Sequence, residues 1–190
     1  MGRETSKAEI EKLVLQAKKG DTAAFSKLYD CFADGIYRYV FFRVTNEQDA
    51  QDLTETVFLK SWENLHKYKN DGDNSSFNSW IFRIAHNLVI DHYRLNKQIE
   101  SLTEDYMDER TGRHPFEKAE KSLNNDLLKK ALGGLKENYK QIIVLKYINE
   151  LSNEEIAGIL KRNEGSVRIL QFRALKALKR ILEGMGVRGI

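Results

Sequence analysis

Two helix-start signals stand close together near the C-terminus, with room between them only for a short helix and a tight turn. Ser152-Asn153-Glu154-Glu155 is a capping box. The Ser152 hydroxyl accepts from the Glu155 N–H, and the Glu155 carboxylate reaches back to the Ser152 N–H. Ile156, Ile159 and Leu160 follow at one-face helical spacing. That helix is expected to stop near Lys161-Arg162, because Asn163 reads as a fresh N-cap. Gly165, in the next first turn, lets the backbone lie close to whatever it docks against.

The helix after Asn163 has two unlike sides. Val167, Leu170, Ala174, Leu175, Leu178 and Leu182 form the expected inward stripe. Arg168, Gln171, Phe172, Arg173, Lys176, Lys179 and Arg180 lie opposite, and residues 161–180 hold seven basic side chains against one acid, Glu164. A basic face alone is compatible with a solvated structural helix. A capped short helix, a tight turn and a longer basic helix together have the helix-turn-helix layout, and Phe172 is an aromatic that a purely solvated face rarely carries. Arginines read guanine edges or phosphates, and a phenylalanine meets a thymine methyl, so duplex DNA is the expected partner of this face.

The remainder of the chain supports an all-α fold. Pro115 is the single proline among 190 residues, and no runs of alternating β-branched residues occur. The net charge of +3 is unevenly spread: residues 1–95 carry −1, residues 96–122 carry −2 and residues 123–190 carry +6. The positive charge thus lies with the helix-turn-helix, as nucleic-acid contact requires. The lone cysteine, Cys31, excludes an internal disulfide and a cysteine-rich zinc site, and its helical context predicts burial. His66, His86, His92 and His114 are scattered, and no phosphate-cradling loop or nucleophile–base pair is present. No enzyme activity, metal or cofactor is expected. With no signal peptide and no membrane-length apolar run, a cytoplasmic protein is expected.

The N-terminal third reads as helices over roughly Ala8 to Lys19, from an Asp21 cap to about Val44, and from an Asn46 cap to near Tyr68. The second carries Phe25, Leu28, Tyr29, Phe32, Ile36 and Val40; the third turns Ala50, Leu53, Val57, Leu59 or Ser61, and Trp62 inward. This aromatic stripe reads as core. Asp49, Asp52 and Glu55 recur at i, i+3 and i+6 beside it, either as a solvated ridge or as a docking face for a basic partner.

A polar loop over residues 67–76 precedes a fourth helix capped by Ser75 or Ser76. Phe77, Trp80, Ile81, Ile84, Leu88 and Val89 are its predicted inward residues. Asn78, Phe82, Arg83, His86, Asn87 and Arg94 make its predicted exposed face. Amides, aromatics and arginines mixed on one face suit single-stranded nucleic acid, although the same spacing serves an ordinary polar face. From Leu95 to Ser122 periodicity fades into an acidic, turn-prone linker. A helix from Asn124 or Asn125 to Gly133-Gly134 and another over Lys136–Tyr147 lead into the helix-turn-helix. The predicted domains are therefore residues 1–95 and 123–190, joined by a flexible linker over 96–122.

Three segments in this order resemble the small two-domain bacterial sigma factors, the extracytoplasmic-function (ECF) group of the sigma-70 family. Asp49 to Trp62 is similar to the family segment that binds the clamp helices of RNA polymerase. Phe77 to Asn87, with Asp91-His92-Tyr93-Arg94, looks like its promoter-melting helix, and Leu151 to Leu178 like the domain that reads the upstream (−35) element. The resemblance implies a transcription initiation factor whose partners are core RNA polymerase and promoter DNA. It assigns polymerase contact to Asp49, Asp52 and Glu55. It assigns DNA contact to Arg168, Ile169, Gln171, Phe172, Arg173 and Lys176 at the duplex upstream element. Trp80, Arg83, His86 and Asn87 fall at the single-stranded downstream (−10) element, where residues 67–76 with Asn87 would hold a flipped base. Glu55-Thr56 stands where the family usually has Gln-Glu. Lys161 stands where its turn commonly has glycine, which leaves the turn either wider or carrying a residue at positive φ. Regulation would come from a separate anti-sigma protein or from expression level. Two other readings are a helix-turn-helix regulator that is not a polymerase subunit, and a helical adaptor with a basic C-terminus; neither needs the ridge or the Asn-aromatic-Arg face.

Overall fold

The structure, a computed structural model, describes residues 6–44, 46–70, 76–102 and 127–187. Eight α-helices are described, with no strand among the described residues: α1 (Lys7–Ala17), α2 (Thr22–Phe41), α3 (Glu47–Asn64), α4 (Phe77–Leu102), α5 (127–133), α6 (Glu137–Ile143), α7 (Asn153–Leu160) and α8 (Glu164–Gly184). A 3-10 turn, Leu65–Lys67, follows α3, and a π turn, Val144–Ile148, follows α6.

Side-chain caps start most of these helices, so orphan N–H groups at their ends are met locally. Asp21 accepts from the Ala23 and Ala24 amides at 2.9 and 3.1 Å, Asn46 from Asp49 at 2.7 Å, and Ser76 from Ser79 at 3.1 Å. Ser6 does the same for α1. Gly20 closes α1 at φ +92°, a left-handed conformation that favours glycine.

Helices α1 to α4 form one unit around Leu28, Ile36, Tyr39, Val40, Val57, Ile81 and Val89, all buried. Its aromatic stripe is core: Phe25 meets Trp62 edge-on at 4.9 Å, Phe32 meets Phe77 at 5.3 Å, and Tyr68 packs on both Phe77 and Trp80. The second unit packs Leu132, Ile142, Leu145, Ile156, Ile159, Val167 and Ala174. Gly134 permits the approach of α8, since a Cβ there would lie 3.2 Å from Ile181 Cδ1.

Several expectations are corrected. Cys31 is exposed, because Leu28, Phe32 and Ile36 set the buried line of α2 and residue 31 falls off it. Tyr29 is 43% exposed, lying against Phe58 at the rim. Between Leu59 and Ser61, Ser61 is the buried one, its hydroxyl satisfied by the Val57 carbonyl at 2.7 Å, while Leu59 is exposed. Helix α2 ends at Phe41, three residues short of Val44, and the turn sends Arg43 into the interior. Helix α4 continues past Leu95 to Leu102. The expected start at Asn124 or Asn125 lies outside the described residues, as does most of the predicted linker. Helix α6 widens into the π turn at Val144, and Asn149 returns both its backbone and side-chain N–H to the Val144 carbonyl.

Phe82 is the most informative correction. It is buried rather than exposed, edge-on to Tyr39 at 5.8 Å. The two units pack together through α4 and α7, and one continuous apolar cluster runs through both.

Candidate functional site

The helix-turn-helix is built as its local signals require. Both arms of the capping box are present, Glu155 N–H to Ser152 Oγ at 3.1 Å and Ser152 N–H to Glu155 Oε2 at 2.9 Å. Lys161 ends α7 at φ 52°, ψ 48°, so of the two options the turn carries a left-handed residue. Asn163 caps α8 by accepting from the Ser166 amide at 2.8 Å.

Helix α8 buries Val167, Leu170 and Ala174 and presents its other side to solvent. Phe172 is 70% exposed and Ile169 55%, with Arg168, Arg173 and Lys176 also exposed beside them. Leu175, expected inward, is 43% exposed and extends this apolar line, whereas Ile181 packs against the core. Large apolar tips flanked by cations suit a duplex groove, with methyl and base contacts in the middle and phosphates at the edges. Arg168 is held by Glu164 at 3.2 Å across one turn. Gln171 is half-buried and donates to Asn153 Oδ1 at 2.6 Å. That bond ties α8 to the first residue of α7.

The acidic ridge divides. Asp52 and Glu55 are exposed on α3. Asp49 accepts from the Asn46 amide and lies 3.3 Å from His92 Nε2, so it braces the start of α3 against α4. A groove of about 510 Å³ beside Glu55 is lined by Tyr29, Tyr37, Asp34 and Gln51. Burial, followed by the nearby Glu47 carboxylate, raises the Tyr37 pKa.

Along α4 the four predicted residues have different surroundings. Asn87 is exposed. Trp80 is half-buried against Tyr68 and Phe77, and the Nε of half-buried Arg83 has no hydrogen-bond partner within the protein. His86 is half-buried, its Nδ1 3.1 Å from the Tyr39 hydroxyl. Burial, followed by the Arg43 charge, lowers its pKa to about 4. The segment 71–75 lies outside the described residues.

Arg43, Glu137, Asn78 and Glu155 emerge as a set that sequence reasoning did not assemble. Arg43 is 1% exposed. It donates to the Tyr39 hydroxyl at 2.8 Å and forms an ion pair with Glu137 Oε1 at 2.6 Å. Because that hydroxyl accepts from Arg43, its own proton is free to point at His86 Nδ1. The available signal was an arginine within the apolar run Val40-Phe41-Phe42-Arg43-Val44.

Two family models match the chain: Sigma-70 region 2 over residues 28–99 and Sigma-70 region 4 over residues 125–178. The ECF RNA polymerase sigma factor BldN of Streptomyces coelicolor is 32% identical over 94% of this chain and 68% of its own length. The ECF RNA polymerase sigma factor SigW of Bacillus subtilis is also 32% identical, over 93% of this chain and 98% of that protein. Among solved structures, CnrH in complex with the cytosolic domain of CnrY shares the fold at a TM-score of 0.71 and 24% identity, covering 90% of this chain and 96% of that one. The sigma factor RpoE in complex with the anti-sigma factor NepR from Bartonella quintana gives 0.71 at 20% identity, covering 84% and 96%.

Proposed function

The chain belongs to the ECF group of sigma-70 RNA polymerase sigma factors, and from that premise we propose how its separate faces divide the work. It is a transcription initiation factor that binds core RNA polymerase, directs it to promoters and helps open the DNA. The two units correspond to residues 1–95 and 123–190, with the first extended along α4 to Leu102; the region matches at 28–99 and 125–178 support this division. Asp52 and Glu55 meet a basic surface of the polymerase, whereas Asp49 supports the helix they stand on. Ile169, Phe172, Arg173 and Lys176 enter the major groove of the upstream element, aided by Arg168, while Gln171 positions the helix. Asn87, with Trp80, Arg83 and His86, takes unpaired bases of the downstream element.

The observation that carries this reading is the pairing of an exposed carboxylate edge on α3 with an exposed basic, apolar-tipped α8 in one chain. A regulator that never enters polymerase needs only the second. The protein catalyses no reaction of its own, since strand synthesis belongs to the polymerase, and it acts in the cytoplasm where polymerase and promoter lie. No helix among the described residues is long and apolar enough to cross a membrane. The Bartonella quintana RpoE was solved with an anti-sigma factor, and a protein inhibitor of that kind is the regulatory partner inferred here.

Co-elution with core polymerase on size exclusion tests the assignment. The wild-type chain should travel with the core enzyme, and Asp52→Lys should be displaced from it with its helical spectrum unchanged. Equal co-elution of both proteins would remove α3 from the polymerase interface.

A further inference from the structure

Helix α1 faces two ways. Leu13, Val14 and Ala17 are buried, whereas Glu11 and Lys18, two turns apart, reach across to residues 68–70. Tyr68 ends the 3-10 turn in an extended conformation, φ −62° and ψ 129°. Lys18 Nζ donates to its carbonyl at 2.7 Å, a charge-assisted bond. Two residues on, Asn70 Nδ2 donates to Glu11 Oε1 at 3.1 Å. Burial, followed by the Glu11 carboxylate, raises the Tyr68 pKa, so the acid is felt at the phenol as well.

The ring of Tyr68 is the other half of the link. It is 5% exposed and lies 5.4 Å from the Trp80 ring and 5.7 Å from Phe77, both in the first turn of α4. A backbone held by α1 thereby fixes a ring that backs Trp80. The tethers cross an open groove of about 410 Å³ lined by Val14 and Leu15, so polar contacts carry the hold on the backbone there. Core filling alone would need only the apolar line of α1. The far end of the polar stretch is held without α1: Ser76 caps α4, and Asn78 Nδ2 donates to Glu155 Oε1 at 2.8 Å across the seam between the two units.

We propose that Lys18 and Glu11 are positioning residues for the downstream element: through Tyr68 they hold Trp80 where it meets an unpaired base. The inference rests on the reading of α4 as the face for unpaired bases. Neither residue touches DNA itself. Helix α1 thereby takes a share in promoter opening, while the polymerase face of α3 and the duplex face of α8 work without it.

Two readouts on the full chain test this. One is acrylamide quenching of Trp80, the lone tryptophan in a Trp62→Phe background. The other, in the otherwise unaltered chain, is permanganate reactivity of downstream-element thymines with core polymerase on the protein's own promoter. Lys18→Met keeps the stem and removes the donor. It should raise quenching about twofold and lower permanganate reactivity about fivefold, with polymerase co-elution and upstream duplex binding unchanged. Lys18→Arg still donates to a carbonyl and should behave as the wild type. Asn70→Asp sets a carboxylate against Glu11 and should act as Lys18→Met does; adding Glu11→Gln, whose amide can donate to it, should reverse the loss. Unchanged quenching in Lys18→Met, or failure of both rescues, overturns the positioning role. So does a parallel loss of polymerase co-elution, which would make Lys18 an ordinary stabilising residue. Greater quenching with full permanganate reactivity overturns it too. Asn87→Ala then separates the causes: lowered reactivity in that variant leaves the reading of α4 intact, and full reactivity removes that reading as well. Circular dichroism on every variant confirms that the helices remain.

Discussion

Arg43 and Glu137 stand 2.6 Å apart across the seam, the arginine 1% and the glutamate 49% exposed. A guanidinium so deeply buried needs a counter-charge, and this one comes from the other unit. From Arg43 the polar chain continues through the Tyr39 hydroxyl to His86 on α4. A residue of α6 is thereby connected to the helix expected to hold unpaired bases.

Removing the counter-charge should be felt as lost stability. Glu137→Gln is expected to cost about 1–3 kcal/mol, because Arg43 keeps its charge while losing its carboxylate. Urea unfolding of the variant against the wild type measures this, and an unchanged midpoint would mean that solvent already neutralises the pair.

The same network sets a pH dependence. Folded His86 titrates at about 4, below the ordinary 6.5, so the folded chain binds fewer protons than an exposed histidine does between those values. The stability contributed by the neutral imidazole is complete above pH 6.5 and erodes as the pH falls toward 4. Thermal unfolding from pH 7 to 4.5 should show a downward slope that His86→Gln reduces. Equal slopes in the two proteins would assign the acid sensitivity to other groups.

Lys161 holds a left-handed conformation in the turn between α7 and α8. A side chain there is strained by about 1–2 kcal/mol. Lys161→Gly should therefore raise the melting temperature, net of the greater freedom it gives the unfolded chain. A fall would show that the lysine makes compensating contacts.

On α8, Arg173 is exposed and Gln171 is engaged with Asn153. Arg173→Ala should weaken binding to duplex carrying the upstream element by about 1–3 kcal/mol without altering stability. Gln171→Ala should lower stability first. Affinity of the wild-type protein should also drop steeply as salt rises, which titration over a salt series checks.

These contrasts show where the sequence was legible. The caps at Asp21, Asn46, Ser152 and Asn163 were readable because each signal and its partner lie within a few residues. So was the left-handed option at Lys161, where a β-carbon stands in a position suited to glycine. The basic, aromatic-tipped side of α8 was also plain, since period and charge coincide there. Phe82 was misjudged for a different reason. What covers it comes from a distant part of the chain, and periodicity within one helix cannot supply it. Cys31 and Leu175 sit at the margins of apolar stripes, where one step of rotation decides burial. The seam itself joins residues 77 to 94 positions apart, and only the fold brings them together.

Permanganate reactivity of thymines at the downstream element of the protein's own promoter tests the central claim most directly. Core polymerase alone should leave those thymines paired and unreactive. Addition of the wild-type chain should make them reactive, and Asn87→Ala should lower that reactivity while duplex binding through α8 stays nearly intact. Full reactivity with Asn87→Ala would contradict the role of α4, and no reactivity with the wild-type chain would contradict promoter opening by this protein.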